Sequence, residues 1–263
     1  MNRLRGVSAR PVPTDVRVSS AFDHDEEPDY YGGVLGGATT IGALALDPAV
    51  QREAWETLER LQADEYVAYV RDYVAAGRNV AGGEWRYADV VTVLGAATRL
   101  LHPSSYLEIG VRRGRSMAIV AAGATTCSIL GVDLWQPGYA SMDNPGPDHV
   151  RQELQRVGHT GTLELIKGDS HEILPRVFVE RPSLTFDLIL VDGDHSVRGA
   201  RRDLRAVLPR LRIGGALVFD DISHPSHPGL FRVWQRAVVA DRRYSTWEFD
   251  DIGYGVAVAV RRW

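Results

Sequence analysis

From Ser105 onward the chain repeats one pattern: a short apolar run, a turn rich in Gly or Asp, and then a stretch with helical periodicity. The apolar runs fall at 105–109, 128–133, 162–167, 186–191 and 214–220, and the helical stretches at 114–122, 148–157, 170–179 and 196–211. Short apolar runs bounded by turn residues read as buried strands. A parallel pair needs a crossover about as long as a helix, and its two faces must then be covered. Regular alternation therefore predicts parallel βαβ units with helices on both faces of one sheet. Past Asp221 the pattern changes to a helix near 228–240 and two strands near 244–249 and 254–261, joined by Asp250-Asp251-Ile252-Gly253. So short a connection allows only an antiparallel hairpin. The expected fold class is α/β, a doubly wound sheet that is mostly parallel with an antiparallel final strand, preceded by an N-terminal helical segment.

Three regions are expected. Residues 1–48 read as an irregular tail or a lid, because Pro11, Pro13, the acidic run from Asp23 to Glu27 and the glycines at 32, 33, 36 and 37 oppose regular structure. Tyr30 and Tyr31 beside Gly32 and Gly33 are what a lid over a bound substrate would use. Residues 49–102 form a helical segment. One helix is predicted from Pro48 to about Ala76 on the spacing of Trp55, Leu58, Leu61, Tyr66, Val67 and Val70, and a second from Tyr87 to Leu101, stopping before Pro103. Their apolar faces exceed what a cap needs, so a homo-oligomer is expected. Residues 103–263 form the ligand-binding domain.

Composition narrows the function classes. The 263 residues carry a formal net charge of -4 with both signs mixed, so no nucleic-acid partner is expected. No run reaches the roughly 20 apolar residues needed to span a bilayer, and residues 1–18 lack an apolar signal-like stretch, so no membrane partner and a cytoplasmic location are expected. The single cysteine, Cys127, excludes an intramolecular disulfide and reads as a buried structural thiol.

In such sheets ligands bind beyond the carboxyl ends of the strands, and Glu108, Asp133, Asp169, Asp192 and Asp220 all fall at or just past predicted strand ends. The first turn, Glu108-Ile-Gly110-Val-Arg-Arg-Gly114-Arg-Ser116, places two glycines before a helix, a setting that presents backbone N–H groups to a nucleotide-like ligand. Arg112 breaks the Gly-x-Gly-x-x-Gly spacing that a nicotinamide dinucleotide prefers. Asp133 ends the second strand about 20 residues further on, where an acid accepts hydrogen bonds from ribose hydroxyls. Asp169, Ser170 and His171 suit an adenine edge, with a helix N-cap as the plainer role of Ser170. Asp192, Asp220 and Asp221 converge from neighbouring strands, and three carboxylates in one cleft repel unless a cation joins them. A hard divalent ion is the natural partner. His195, three residues past Asp192, is placed to accept a hydroxyl proton near pH 7.

With the Asp192-Gly-Asp-His195 run and Phe219-Asp220-Asp221, the set resembles the class I S-adenosylmethionine-dependent methyltransferases, nearest the divalent-metal-dependent O-methyltransferases that act on macrolide sugars and other natural products. The resemblance covers about 87–260 and implies a Rossmann-like sheet. It further implies that Glu108, Gly110 and Ser116 hold the methionine end of the cofactor, that Asp133 binds the ribose, and that Asp169, Ser170 and His171 line the adenine. Asp192, Asp220 and Asp221 would then ligate Mg2+ (or Mn2+), and His195 would be the base. Catechol- and caffeoyl-type relatives carry a lysine where this chain has His195, and usually an asparagine in place of Asp221. The departure favours a sugar or other aliphatic hydroxyl, so the expected partner is a small-molecule hydroxyl acceptor, a glycosylated natural product. Trp135, Tyr139, His224, His227 and Trp234 are candidates for contact with it. The competing readings are a metal-assisted enzyme similar to cephalosporin hydroxylases and a non-catalytic cofactor-binding module.

Overall fold

The computed structural model describes Val34, residues 36–138 and residues 143–263. Seven strands form one sheet in the order β3-β2-β1-β4-β5-β7-β6. They are β1 (Ser105–Ile109), β2 (Ser128–Asp133), β3 (Leu163–Lys167), β4 (Phe186–Val191), β5 (Leu211–Asp220), β6 (Tyr244–Phe249) and β7 (Val256–Arg261). The first five run parallel, and β7 pairs antiparallel with both β5 and β6. The final hairpin thus inserts its second strand against β5. The strand order reverses between β1 and β4, so the crevice where ligands settle in sheets of this kind lies past Ile109 and Val191.

Every residue of β4 is buried, as expected of a central strand covered on both faces. Successive side chains alternate between two cores. Leu188 and Leu190, with Ala216, Val218, Val258 and Val260, face one layer. Ile189 and Val191, with Leu217, Phe219, Ala257 and Ala259, face the other. The first layer is covered by α4 (Val90–Leu101), α5 (Arg115–Gly123) and α6 (Pro147–Arg156), and the second by α7 (Ser170–Glu180), α8 (Val197–Val207) and α9 (Leu230–Trp234). Helix α9 continues as a π-helical turn over Gln235–Val239. Cys127 is a free, buried thiol that burial pushes up to about 12, which suits a packing role.

The N-terminal segment departs from the sequence reading in two places. Ala38–Ala45 is a helix, α1, within the stretch expected to be irregular. Its glycine is there for close packing: a Cβ on Gly42 would stand 2.7 Å from the Trp247 ring. Ser245 Oγ accepts from the Ala38 N–H and ties α1 to β6. The lid residues Tyr30, Tyr31, Gly32 and Gly33 lie outside the described residues. The helix predicted over 48–76 is two helices, α2 (Pro48–Glu59) and α3 (Glu65–Ala81). Asp64 starts the second, its side chain accepting from the Val67 N–H. Among the described residues no helix is long and apolar enough to cross a membrane.

Candidate active site

The glycine turn after β1 is shaped by backbone contacts. Gly110 has φ +92, and a Cβ there would lie 1.9 Å from the Asp192 carbonyl oxygen, so only glycine lets the β1 and β4 ends meet. Asp133 braces the turn from β2: Oδ2 accepts from the Arg112 N–H at 2.8 Å, and Oδ1 accepts from the Trp135 N–H. The Trp135 indole closes the loop by donating to the Arg112 carbonyl at 2.9 Å. Arg112, Trp135 and Asp221 are three of the four non-glycine residues with left-handed backbone among those described, and all three flank this crevice.

A cavity of about 250 Å3 opens here, lined by Gly110, Asp133, Asp169, Ser170, His171, Asp192 and His195 among others. Glu108 and Ser116 are not among its lining residues. Glu108 is fully buried, and its two oxygens accept from the Tyr106 hydroxyl at 2.7 Å and the Ser116 hydroxyl at 2.5 Å. Burial outweighs those bonds and, with the charges of Asp192 and Asp133, raises its carboxyl to about 8. At the other end of the cavity Asp169, not Ser170, caps α7. The Ser170 hydroxyl donates to Asp203 Oδ1 at 2.7 Å, and His171 Nε2 stands 3.2 Å from the Gly199 carbonyl. Both side chains therefore lace α7 to α8 while bordering the cavity.

Beside the cavity, ligand atoms of Asp192, His195 and Asp221 all lie within 4.8 Å of one another. His195 Nε2 is 3.1 Å from Asp192 Oδ1, and Nδ1 is 3.5 Å from Asp221 Oδ2. Burial works against a charged His195, but the bond to Asp192 and the charges of Asp192 and Asp221 outweigh it and hold the imidazole above its ordinary pKa. Asp221 is raised above the carboxylate range by burial and the charge of Asp192, with His195 opposing. An imidazole proton thus does part of the neutralising that a cation would do. The Asp192 and Asp221 carboxylates, which repel one another and attract the imidazole beside them, fit a divalent ion with open positions, Mg2+ or Mn2+.

Asp220 is the exception among the expected ligands. It is outside the three-residue group. Side chains alternate along a strand, so Asp220 shares the face of Ala216 and Val218 and turns toward the α4 layer. There burial and the charges of Asp192 and Asp221, with a contribution from Asp89, push it well above the carboxylate range.

The aromatic candidates divide. Trp135 is buried and bonded to Arg112. Trp234 is fully buried, stacked on Phe219 and donating to Glu248. Neither is free to touch an acceptor. His224 and His227 do border the site: the His227 ring is 4.9 Å from that of His195 and 4.7 Å from that of His224. Tyr139 lies outside the described residues.

Sequence reasoning passed over Asp64, Tyr66, Asp89 and Asp203. Asp64 is an N-cap that also pairs with Arg115 at 2.5 Å and Arg113 at 3.3 Å, tying α3 to the residues around the glycine turn. Its signal was Asp ahead of Glu65 and an apolar run. Asp89, with Thr92, makes the capping box of α4. Asp203 is a buried acid within an Arg-rich helix and carried no local signal.

Residues 107–222 match the model of a family described as a methyltransferase domain. No curated protein sequence matches the chain. Among solved structures, an O-methyltransferase from Bacillus cereus in complex with S-adenosylhomocysteine superposes with a TM-score of 0.53 at 16% identity, covering 86% of this chain and 92% of that one. A TDP-rhamnose 3'-O-methyltransferase of calicheamicin biosynthesis gives 0.52 at 19% identity, over 82% of this chain and 95% of that one. The O-methyltransferase of tomaymycin synthesis from Streptomyces achromogenes, in complex with S-adenosylmethionine, gives 0.51 at 18% identity, over 86% and 96%. Identities this low speak for the fold alone: the chain has the fold of these O-methyltransferases, and residues 107–222 within it match a methyltransferase domain.

Proposed function

We propose that the protein transfers a methyl group from S-adenosylmethionine to a hydroxyl of a small-molecule acceptor, a sugar of a glycosylated natural product, and that it needs Mg2+ or Mn2+ to do so. The observation that carries this reading is that Asp192 and His195 belong both to the glycine-turn cavity and to the metal-type cluster with Asp221. The cofactor supplies an already electrophilic methyl sulfonium, so the protein's task is to align and deprotonate an oxygen. A divalent ion, when bound, lowers the acidity barrier of that oxygen and positions it. Asp192 and Asp221 are the residues that would hold the ion, with Asp220 behind them and His195 beside them.

The ribose falls to Asp133 and the adenine to Asp169 and its neighbours Ser170 and His171. Gly110 leaves the turn open to the methionine end, with Glu108 and Ser116 as the buried pair beneath it. His195 takes the acceptor proton. Asp192, 3.1 Å from Nε2, fixes the ring and stabilises its cation, leaving Nδ1 on the Asp221 side for the acceptor hydroxyl.

Calorimetric titration with S-adenosylhomocysteine, with Mg2+ and again with EDTA, tests the cofactor; no binding under either condition overturns the reading. Release of S-adenosylhomocysteine over a panel of glycosylated acceptors tests the reaction, and turnover unaffected by EDTA removes the metal from it. His195→Ala is expected to lose at least about 100-fold in turnover while keeping its affinity for S-adenosylhomocysteine.

A further inference from the structure

Helix α8 carries one residue that its packing does not ask for. Gly199, Ala200, Leu204 and Val207 recur at helical spacing and are buried. Asp203 falls on the same stripe and is 1% exposed, while Arg198, Arg201, Arg202 and Arg205 stand outward. A carboxyl there costs stability unless it is bonded, and an apolar side chain would fill the position at no such cost. Burial is the largest influence on this acid and raises its pKa, with the Ser170 bond and His171 opposing.

What bonds Asp203 comes from the cavity wall. Its Oδ1 accepts from the Ser170 hydroxyl at 2.7 Å and lies 3.3 Å from His171 Nε2. That nitrogen is also 3.2 Å from the Gly199 carbonyl, which can only accept, so Nε2 is a donor there. The other oxygen, Oδ2, has no hydrogen-bond partner among the described residues. It packs under a second part of the wall: a Cβ on Gly193 would stand 3.4 Å from it. Ser170, His171 and Gly193 all line the cavity, and Asp203 does not. One buried side chain of α8 therefore underlies both the first turn of α7 and the loop that leaves β4. Its two oxygens are unequal, since Oδ1 holds and Oδ2 only packs.

We propose that Asp203 is a positioning residue of the cofactor cavity: through Oδ1 it seats Ser170 and His171, and so sets the wall that α7 presents to S-adenosylmethionine. The proposal rests on the methyl-transfer reading above and adds to it a residue that touches neither cofactor nor acceptor. What the wall needs from Asp203 is an acceptor oxygen rather than a charge. Without it the Ser170 hydroxyl is left unpaired at the edge of the cavity, and the α7 turn loses its tie to α8. Asparagine in this place keeps the Oδ1 acceptor and sets its amide where Oδ2 has no bond to lose. Leucine suits the apolar stripe but offers no acceptor.

The test uses the full chain, with S-adenosylhomocysteine affinity read by calorimetry and Tm by melts without ligand. Asp203→Leu is expected to melt within a few degrees of the parent and to bind S-adenosylhomocysteine roughly tenfold more weakly, whereas Asp203→Asn rescues the affinity to within about twofold. Adding Ser170→Ala to Asp203→Leu is expected to weaken binding no further, because the hydroxyl is seated through that carboxyl. In 15N-histidine-labelled protein, with His171→Gln for assignment, His171 is expected to show a protonated Nε2 whose signal is kept in Asp203→Asn and shifted in Asp203→Leu. Asp203→Ala stands in if the leucine does not fold, with the same weakening expected. Parent-like affinity in the leucine variant, an asparagine variant as weak as leucine, or full additivity with Ser170→Ala overturns the proposal and leaves methyl transfer standing. Weaker binding seen only together with a collapse of Tm makes Asp203 merely structural and also overturns it. A parent protein that binds no S-adenosylhomocysteine sinks the methyl-transfer reading, and this proposal with it.

Discussion

Glu108 holds a proton at pH 7 that an ordinary glutamate has lost, because the loss of water on burial outweighs its two hydroxyl donors. Its folded value of about 8 stands above the ordinary 4.5. The native state therefore binds a proton that the unfolded chain releases between those values. That contribution to stability is whole below about pH 4.5 and is lost as pH rises toward 8. Urea unfolding at pH 5 and pH 8 is expected to show wild type losing more than Glu108→Gln, by on the order of a few kcal/mol. Equal losses would mean the proton is not there. Asp221 makes the opposite test. It combines a carboxyl held above its ordinary range, a left-handed backbone at φ +60 and a neighbour of like charge in Asp192. Asparagine tolerates that backbone and carries no charge. Asp221→Asn is expected to be more stable than wild type without metal, by about 1 kcal/mol, and to lose any rise in Tm on adding Mn2+. Thermal melts with and without EDTA check both.

At the scale of elements, α3 is held mainly at its N-terminus, where Asp64 caps the helix and grips Arg113 and Arg115. Asp64→Ala is expected to cost about 1–2 kcal/mol and to release amide protection in Glu65–Ala81 well before the sheet, as hydrogen exchange would report. Protection that falls evenly across the molecule would contradict a local latch. The same helix marks where the sequence was legible and where it was not. Strands such as β4 could be placed because an apolar run between turn residues has few other uses. The break at Asp64 was hidden because Leu61, Tyr66, Val67 and Val70 keep helical spacing on both sides of it. Helix α1 was hidden for another reason: the prolines, acids and glycines up to Gly37 masked the short helix that follows them, whose Gly42 packs against Trp247, about 200 residues away in sequence. The site behaved alike. Acids at strand ends announced the crevice, yet which oxygens meet depends on pleat and backbone hand, and so Asp221 joins His195 while Asp220 turns to the α4 side.

For the whole molecule, the two cores and the crevice between β1 and β4 make cofactor binding a global stabiliser. S-adenosylhomocysteine at about 100 times its Kd is expected to add roughly 2.7 kcal/mol and raise Tm by several degrees. A melt unmoved by the ligand would disconnect the cavity from the fold. The strand order has a further effect, on the order of assembly. β5 carries Asp220 and leads into Asp221, and its outer neighbour is β7, paired from Ala216 opposite Val260 to Asp220 opposite Val256. During synthesis β5 therefore waits as a bare sheet edge until Val256–Arg261 has left the ribosome. For that interval the nascent chain has its cofactor turn, its cavity walls and an unguarded strand, but not the partner that fixes the acid pair. The insertion of β7 thus makes catalytic competence wait on a strand well beyond the acid pair in sequence, and it leaves the growing polypeptide open to strand-capturing neighbours until then.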